Sequence, residues 1–229
     1  MSTWTDDVIA CPACGVEQPV RIALGAHVSR APEVRDDVVA RRLHRMACAC
    51  GARTELRSTF EYSDFERGQL LLVAPADRLE AWPSLEAQLR RSVHRAFELG
   101  SPHAHAFAEG LRARVVFGLE ELREKLVVWS RGFDDALIEC IKLRAWRDDP
   151  ALAAPHSRLL VDRVTDDDAL VCWWFARPGD LAPTRVLELP AAWAYDADRD
   201  RGSLAARFPE LFRDGFVSVN RLLPRDIVA

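Results

Sequence analysis

The stretch Cys11-Pro12-Ala13-Cys14-Gly15 is matched later in the chain by Cys48-Ala49-Cys50-Gly51, and these two segments decide the fold that we expect for the first third of the protein. Each segment carries two cysteines and ends in a glycine, which permits the left-handed backbone conformation that often follows the second ligand of a metal-binding turn. Zinc takes four thiolates in a tetrahedron. The sequence therefore predicts one zinc site with these ligands: Cys11, Cys14, Cys48 and Cys50.

The second cysteine pair is less regular than the first. One residue separates Cys48 from Cys50, where a zinc-binding turn usually has two, and Ala47 stands where the missing sulfur would be. His44 is an alternative ligand, although we expect it on an exposed strand. The competing interpretation is that the cysteines are buried thiols without a metal. A closed site of four thiolates leaves no position for a substrate, so we expect the zinc to be structural.

Composition and charge limit the class of protein. The chain has 229 residues, 49% of them hydrophobic, and a formal net charge of −4, which does not favour a protein held mainly by nucleic-acid phosphates. Residues 1–7 lack a basic region followed by an apolar run, so we expect no signal peptide. The longest apolar run, residues 70–76, is too short to cross a bilayer. We therefore expect a cytoplasmic protein without membrane insertion, in which paired cysteines favour metal over disulfides.

Alternating apolar and polar residues predict strands in the first part of the chain, over 16–24, 43–47, 53–60 and 69–74, with a short helix after Pro32. Together they predict a small antiparallel sheet fastened at one end by the cysteines. A helix at 85–99 and a histidine-rich loop at 101–110 follow. We expect a zinc-ribbon-like domain over 1–78, a linking helix and loop over 79–110, and a C-terminal α+β domain over 111–229.

The C-terminal part mixes both kinds of element. A buried strand is predicted at 112–118 and helices at 119–130 and 134–147, the second capped by Asp134. Strands are predicted at 158–164 and 169–176, joined as a hairpin, and at 186–189 and 216–223. Cys140 and Cys172 fall inside these elements and are predicted core residues. The expected fold class is α+β.

The chain resembles the CpXC family of bacterial and archaeal proteins. The resemblance begins at Cys11-Pro12-Ala13-Cys14-Gly15 and continues through these segments: His27 to Glu33, Cys50-Gly51, Phe60 to Asp64, Pro75, Arg114 to Gly118, Glu121 to Lys125, Asp134-Asp135, Glu139 and Lys142. The chain departs from the family pattern at Cys48, because the second motif of the family more often keeps two residues between its cysteines. The resemblance implies a zinc-ribbon-like start on a protein of unassigned activity.

A charged stretch over 120–142 is the candidate for an active site. Asp135, Glu139 and Lys142 fall on one helical face and, with Asp134, suggest acid–base or metal-dependent chemistry. Their spacing is also that of stabilising pairs on an exposed helix, which is the interpretation we favour. His103 and His105 are expected on a surface loop. We assign no catalytic and no cofactor-binding residue.

These observations favour a non-catalytic, cytosolic, zinc-stabilised protein-interaction or scaffold and regulatory module. The paired aromatic residues Trp173 and Trp174 fit either a two-layer core or a surface for a protein partner. The first alternative is a nucleic-acid-binding, transcription-associated zinc ribbon, supported by Arg41-Arg42 with Arg45 and by Arg90-Arg91 with Arg95. The second is an enzyme built on Asp135, Glu139 and Lys142. The sequence leaves the partner, the pathway and the oligomeric state open.

Overall fold

The structure, a computed structural model, describes residues 3–99, 101–213 and 215–222. The chain forms two compact units, residues 1–122 and 123–229. Both contain helices and strands, which confirms the predicted α+β class. Among the described residues, no helix combines the length and apolar character needed to cross a membrane.

The first unit is built mainly from strands. They are β1 (Thr3–Ala10), β2 (Glu17–His27), β3 (Arg45–Ala47), β4 (Arg53–Glu55), β5 (Phe60–Asp64), β6 (Gln69–Ala74) and β7 (Arg112–Phe117). Its helices are α1 (Glu33–Val39), α2 (Trp82–Val93), which continues as a π-helical segment (His94–Glu98), and α3 (Pro102–Glu109). Helix α4 (Leu119–Ser130) runs from this unit into the second.

Five strands of the first unit form one sheet in the order β1-β2-β5-β6-β7, and β3 pairs with β4 in a separate hairpin. The pairs β1–β2 and β5–β6 are antiparallel, whereas β2–β5 and β6–β7 are parallel. The predicted N-terminal ribbon is thus present, in a sheet that is mixed. Strand β2 joins β5 only over Gly25 to His27, so most of the β1–β2 ribbon extends beyond the rest of the sheet.

The strand predicted over 53–60 is divided between two structures. Its first part is β4, in the small hairpin, and its end begins β5, in the sheet. The loop predicted over 101–110 is wrong, because residues 102–109 form α3. The Ser101 side chain caps this helix by accepting from the Ala104 amide, and Pro102 occupies its first turn. His103 and His105 are exposed and, being two apart on a helix, do not share a face.

The second unit contains α5 (Asp135–Asp148), β8 (Arg158–Val164), β9 (Leu170–Phe175), β10 (Arg185–Leu189), α6 (Ala191–Arg199) and α7 (Arg201–Arg207). Its sheet is antiparallel, in the order β10-β9-β8, which confirms the predicted hairpin. The Asp134 carboxylate accepts from the Ala136 amide at 2.8 Å, which confirms the predicted cap of α5.

The strand predicted over 216–223 is wrong, because Val219–Leu222 is a 3-10 turn and Leu223 lies outside the described residues. The aromatic run on β9 lies mostly inside the unit. Trp173 and Trp174 are half-buried and Phe175 is buried. The indole nitrogen of Trp174 donates to the Leu152 carbonyl at 3.0 Å, so this ring contacts the 3-10 segment Pro150–Ala153 of the same unit.

Candidate metal centre

Two turns of the first unit bring the four predicted cysteines together. Cys11 and Cys14 lie in the turn between β1 and β2, and Cys48 and Cys50 lie in the turn between β3 and β4. Their Sγ atoms all lie within 4.8 Å of one another. The distance is 3.7 Å from Cys11 to Cys50 and 3.6 Å from Cys14 to Cys48. The site therefore joins two hairpins that the chain separates by more than thirty residues.

The sulfur separations fit a metal ion better than a disulfide. Four sulfurs at the Zn–S distance of about 2.3 Å form a tetrahedron with edges of about 3.8 Å. The two measured edges, 3.7 and 3.6 Å, are close to that value. A disulfide would need about 2.05 Å, and all four cysteines are free thiols. A set of four thiolates also matches the soft donors that zinc accepts. The cluster could hold a metal ion in a closed site.

The first turn has the hydrogen bonding of a metal-binding knuckle. The Cys11 amide donates to the Val16 carbonyl at 2.9 Å, and the Gly15 amide donates to the Cys11 carbonyl at 2.8 Å. Gly15 has φ +74°, the left-handed conformation that glycine adopts without strain. This backbone conformation places the Cys11 and Cys14 sulfurs on the same side of the turn.

The second turn repeats this arrangement with one residue fewer. The Cys48 amide donates to the Ala52 carbonyl at 2.8 Å, and the Gly51 amide donates to the Cys48 carbonyl at 2.9 Å. Gly51, at φ +89°, occupies the place that Gly15 has in the first turn. The tighter Cys48-Ala49-Cys50 spacing is therefore accommodated by a shorter loop, and Cys48 joins the cluster.

Backbone amides and neighbouring thiols set the acidity of the cluster. Amides of Ala13 and Cys14 point at the Cys11 sulfur and lower its pKa to about 7. For Cys14, the amide of Val16 lowers the pKa, but hydrogen bonds with the thiols of Cys48 and Cys50 outweigh it and raise the pKa to about 12. Without a cation, Cys14 therefore stays a protonated thiol at neutral pH. A divalent ion would displace this proton, because the thiolate is the form that binds a metal.

His44 is not placed to bind the metal, and the expectation that it is exposed is wrong. It is 4% exposed. Its Nε2 accepts from the Ala23 amide at 2.7 Å, and its Nδ1 lies 3.2 Å from the Ser58 hydroxyl. The ring also meets Phe60 edge-on, at 4.9 Å between centroids. Because Nε2 accepts an amide proton, the ring is neutral and serves to hold the β3–β4 hairpin against β2.

The burial of His44 makes stability depend on pH. Burial lowers its pKa from 6.5 to about 4. Between these values the unfolded chain takes up a proton that the folded chain does not, so the free energy of unfolding should fall as the pH falls from 6.5 towards 4, by up to about 3 kcal/mol. Denaturant titrations of wild type and His44→Gln across this range measure the difference.

As the pH falls from 6.5 towards 4, the free energy of unfolding of His44→Gln should fall less steeply than that of wild type. Acid also protonates the thiolates, so the contribution of His44 is the difference between the two proteins and not the whole slope. His105→Gln, at an exposed position, is the control and should behave as wild type. Equal slopes for wild type and His44→Gln would contradict the role given to this ring.

The hydrophobic support around the cysteines is small. The buried cluster there consists of Cys11, Met46, Cys48 and Leu56, with Ile9, Val20, Ile22 and Ala52 packed against it as partly buried neighbours. Strands β3 and β4 have three residues each. Isolated hairpins of this length are marginal in water. A cation between the two turns would therefore supply much of what holds them together.

The second candidate site of the sequence, the charged face of α5, is buried, so the preferred interpretation as exposed surface pairs is wrong. Asp135 is 2% exposed, Glu139 1% and Lys142 2%. The Lys142 ammonium lies 2.7 Å from Glu124 Oε1 and 2.8 Å from Glu139 Oε1. The prediction that these side chains lie close together is therefore confirmed, but they lie in a buried cluster that also contains Glu124.

A second lysine completes this ion network. The Lys125 ammonium donates to the Val217 carbonyl at 2.9 Å and lies 3.2 Å from Asp135 and 3.6 Å from Glu139. Glu139 also accepts from the Val219 amide at 2.8 Å. Both ammonium groups are thus engaged by carboxylates and backbone. The network ties α4, α5 and the segment at 217–219 to one another inside the second unit.

The arginines behind the nucleic-acid alternative divide into two sets. Arg41 and Arg45 both contact the Glu120 carboxylate, and Arg42 lies 2.8 Å from Asp37. The charge of the first set is therefore largely compensated. The second set, Arg90-Arg91 with Arg95, is exposed on α2 and its π-helical continuation.

Comparison with known proteins gives one match. The family model described as CpXC protein covers residues 9–142, more than half of the chain, and includes all four cysteines and the charged side chains of the buried ion network, of which Lys142 is the last. A search of curated proteins and a search of solved structures each found no match.

Proposed function

Since this chain belongs to the CpXC family, we propose that it is a non-catalytic protein-interaction module of the cytoplasm, held in shape by a structural zinc ion. The zinc ligands are Cys11, Cys14, Cys48 and Cys50. Four cysteine sulfurs complete the tetrahedral coordination of a zinc ion and leave no coordination position for water or substrate. The site is thus suited to presenting a surface and not to catalysis.

The observation that carries this proposal is the position of β1. It is an eight-residue strand at the edge of the sheet, on a ribbon that extends past the other strands. Such an edge is a template onto which a partner strand can add. Val8 on β1 is 57% exposed, and Val16, beside the metal turn, is 56% exposed. Exposed aliphatic side chains along an open edge suit a protein partner better than a charged polymer.

The edge is also protected against indiscriminate pairing. The Asp7 carboxylate accepts from the Val8 amide at 2.8 Å, and Asp6 adds a second negative charge beside it. Charged residues on an edge strand discourage self-association. A partner must therefore displace or complement these carboxylates, which makes a strand with basic residues the preferred occupant.

Substitution of Val8 tests this proposal. Zinc-loaded wild type, Val8→Lys and Val186→Lys would each be used to capture and cross-link proteins from the native host. Val186, 60% exposed on β10 in the second unit, is the matched control. We expect a specific protein to be enriched by wild type and Val186→Lys and reduced at least tenfold with Val8→Lys, because the new charge repels a basic partner strand. No enriched protein, or equal capture by all three, would contradict the proposal.

A further inference from the structure

The four cysteines of the metal centre differ in their access to solvent. Cys14 and Cys50, the second cysteine of each turn, are exposed. Cys11 and Cys48, the first cysteine of each turn, are buried, at 2% and 8% exposure. Each turn therefore supplies one cysteine that solvent reaches and one that the chain covers. An oxidant from solvent would meet Cys14 and Cys50 first.

The sulfur contacts across the site join one cysteine of each kind. The Sγ of exposed Cys50 lies 3.7 Å from that of buried Cys11, and the Sγ of exposed Cys14 lies 3.6 Å from that of buried Cys48. Both pairs run from one turn to the other. An accessible cysteine with a second cysteine beside it is the usual arrangement of a thiol that oxidises to a disulfide. Each pair closes when its sulfurs approach to about 2.05 Å.

The cluster also keeps its sulfurs in the form that oxidants attack. The thiolate is the nucleophile, and zinc binds cysteine as the thiolate. Cys140 and Cys172 lie outside the cluster. They are 7% and 0% exposed, and burial raises the pKa of each thiol to about 12. Oxidation should therefore select the cluster over these two core cysteines.

We propose that the metal centre is also an oxidation site, at which hydrogen peroxide converts the four cysteines into two disulfides, Cys11–Cys50 and Cys14–Cys48. This inference rests on the zinc site of the proposed function. The thiolate of Cys14 or Cys50 attacks a peroxide oxygen, so that an S–O bond forms, the O–O bond breaks and hydroxide leaves. The buried thiolate of the pair then attacks that sulfur, an S–S bond forms and a second hydroxide leaves. Each pair thus gives two electrons to one peroxide molecule, and the hydroxides take up protons to become water.

The position of the two disulfides decides what oxidation does to the first unit. The thiolate is the form of cysteine that binds a metal, so the site loses its zinc when the disulfides form. Both disulfides join the turn of the β1–β2 ribbon to the turn of the β3–β4 hairpin. They would therefore take over the link between the two hairpins. The exposed edge of β1 should keep its shape under oxidising conditions that remove the metal.

Peroxide treatment of the full-length, zinc-loaded wild type tests this assignment. Zinc per chain is measured first, about two molecules of hydrogen peroxide per chain are added, and a chromogenic indicator follows zinc release. Remaining thiols are then alkylated, and the protein is digested with trypsin without reduction. Trypsin leaves each cysteine pair of the sequence in one peptide, residues 1–21 and 46–53. We expect release of about one zinc per chain and these two peptides joined to each other by disulfides.

Two further measurements assign the bonds and their effect. Electron-transfer fragmentation of the joined peptides should show Cys11–Cys50 and Cys14–Cys48. Hydrogen exchange should show that the oxidised protein keeps amide protection in β1 to β4, whereas the reduced protein loses it after treatment with a chelator. Cys140→Ala, which removes a buried thiol outside the cluster, is the matched control and should react as wild type.

The outcomes separate this inference from the proposed function. A protein that holds no zinc before peroxide is added overturns the zinc site and the oxidation site together. Zinc that is present but stays bound, disulfides within a turn, sulfonic acids without disulfides, or loss of protection in the oxidised protein would overturn the oxidation site alone.

Discussion

The variant Cys11→Ser is expected to lose most of the structure of the β1–β2 ribbon and the β3–β4 hairpin. Cys11 is 2% exposed, takes part in the small apolar cluster of the site, and is one of only four sulfurs that join the two turns. Coordination of structural zinc stabilises small domains by an apparent 10 kcal/mol or more, roughly. Whole domains are stable by only about 5–15 kcal/mol, so loss of one ligand should unfold this region.

Hydrogen exchange followed by mass spectrometry measures this effect by segment. Amide protection in β1 to β4 should fall to near that of an unfolded chain in Cys11→Ser, and in wild type after treatment with a strong chelator. Cys140→Ala is the matched control, because it removes a buried thiol that is not in the cluster. It should keep the protection of β1 to β4. Unchanged protection in Cys11→Ser would mean that the hairpins hold together without metal.

The second large effect is expected at the buried ion network. Lys142→Met should lower the free energy of unfolding by about 3–5 kcal/mol, because Glu124 and Glu139 would lose the ammonium group that lies 2.7 and 2.8 Å from them. Burial lowers the pKa of Lys142, but the carboxylates of Glu124 and Glu139 outweigh it and raise the pKa above its ordinary value. The lysine is thus charged in the folded protein. Denaturant unfolding measures the loss.

A second substitution separates loss of charge balance from loss of packing. Burial raises the pKa of Glu124 despite its contact with Lys142. Glu124→Gln removes one of the two carboxylates that face the Lys142 ammonium group and should therefore be destabilising alone. In the double variant with Lys142→Met it should restore at least about 1 kcal/mol. Arg147→Met, 73% exposed on the same helix, should stay within about 0.5 kcal/mol of wild type. A Lys142→Met protein as stable as wild type would contradict the account of the network.

Local sequence patterns predicted individual helices and strands better than they predicted which strands pair with one another. The strand over 69–74, the hairpin joined at 165–168 and the cap at Asp134 depend on neighbouring residues, and each was confirmed. The parallel pairing of β2 with β5 joins residues more than thirty positions apart, and alternation alone does not specify it. The start of helix α3 was predictable from Ser101-Pro102, because a capping serine precedes a proline in the first turn. The histidine-rich composition of the segment favoured a loop instead.

The candidate sites were predictable to different extents. Cysteine spacing was enough to predict that the four sulfurs lie together, because two metal-binding turns with two cysteines each supply the four ligands of one ion. For Glu139 and Lys142 the spacing was ambiguous, since pairs three or four residues apart occur on exposed and buried helices alike. The apolar residues on every side of α5, among them Leu137, Ile138 and Ile141, were the signal that this helix lies inside a core.

Metal content of the purified protein tests the central claim most directly. Full-length wild type and Cys11→Ser, prepared without chelator or affinity metal, would be analysed by plasma mass spectrometry for zinc per chain. Convergence of four sulfurs on one ion predicts a ratio close to one for wild type and close to zero for Cys11→Ser. Wild type without bound metal, or equal zinc in both proteins, would contradict a zinc ion at the junction of the two hairpins.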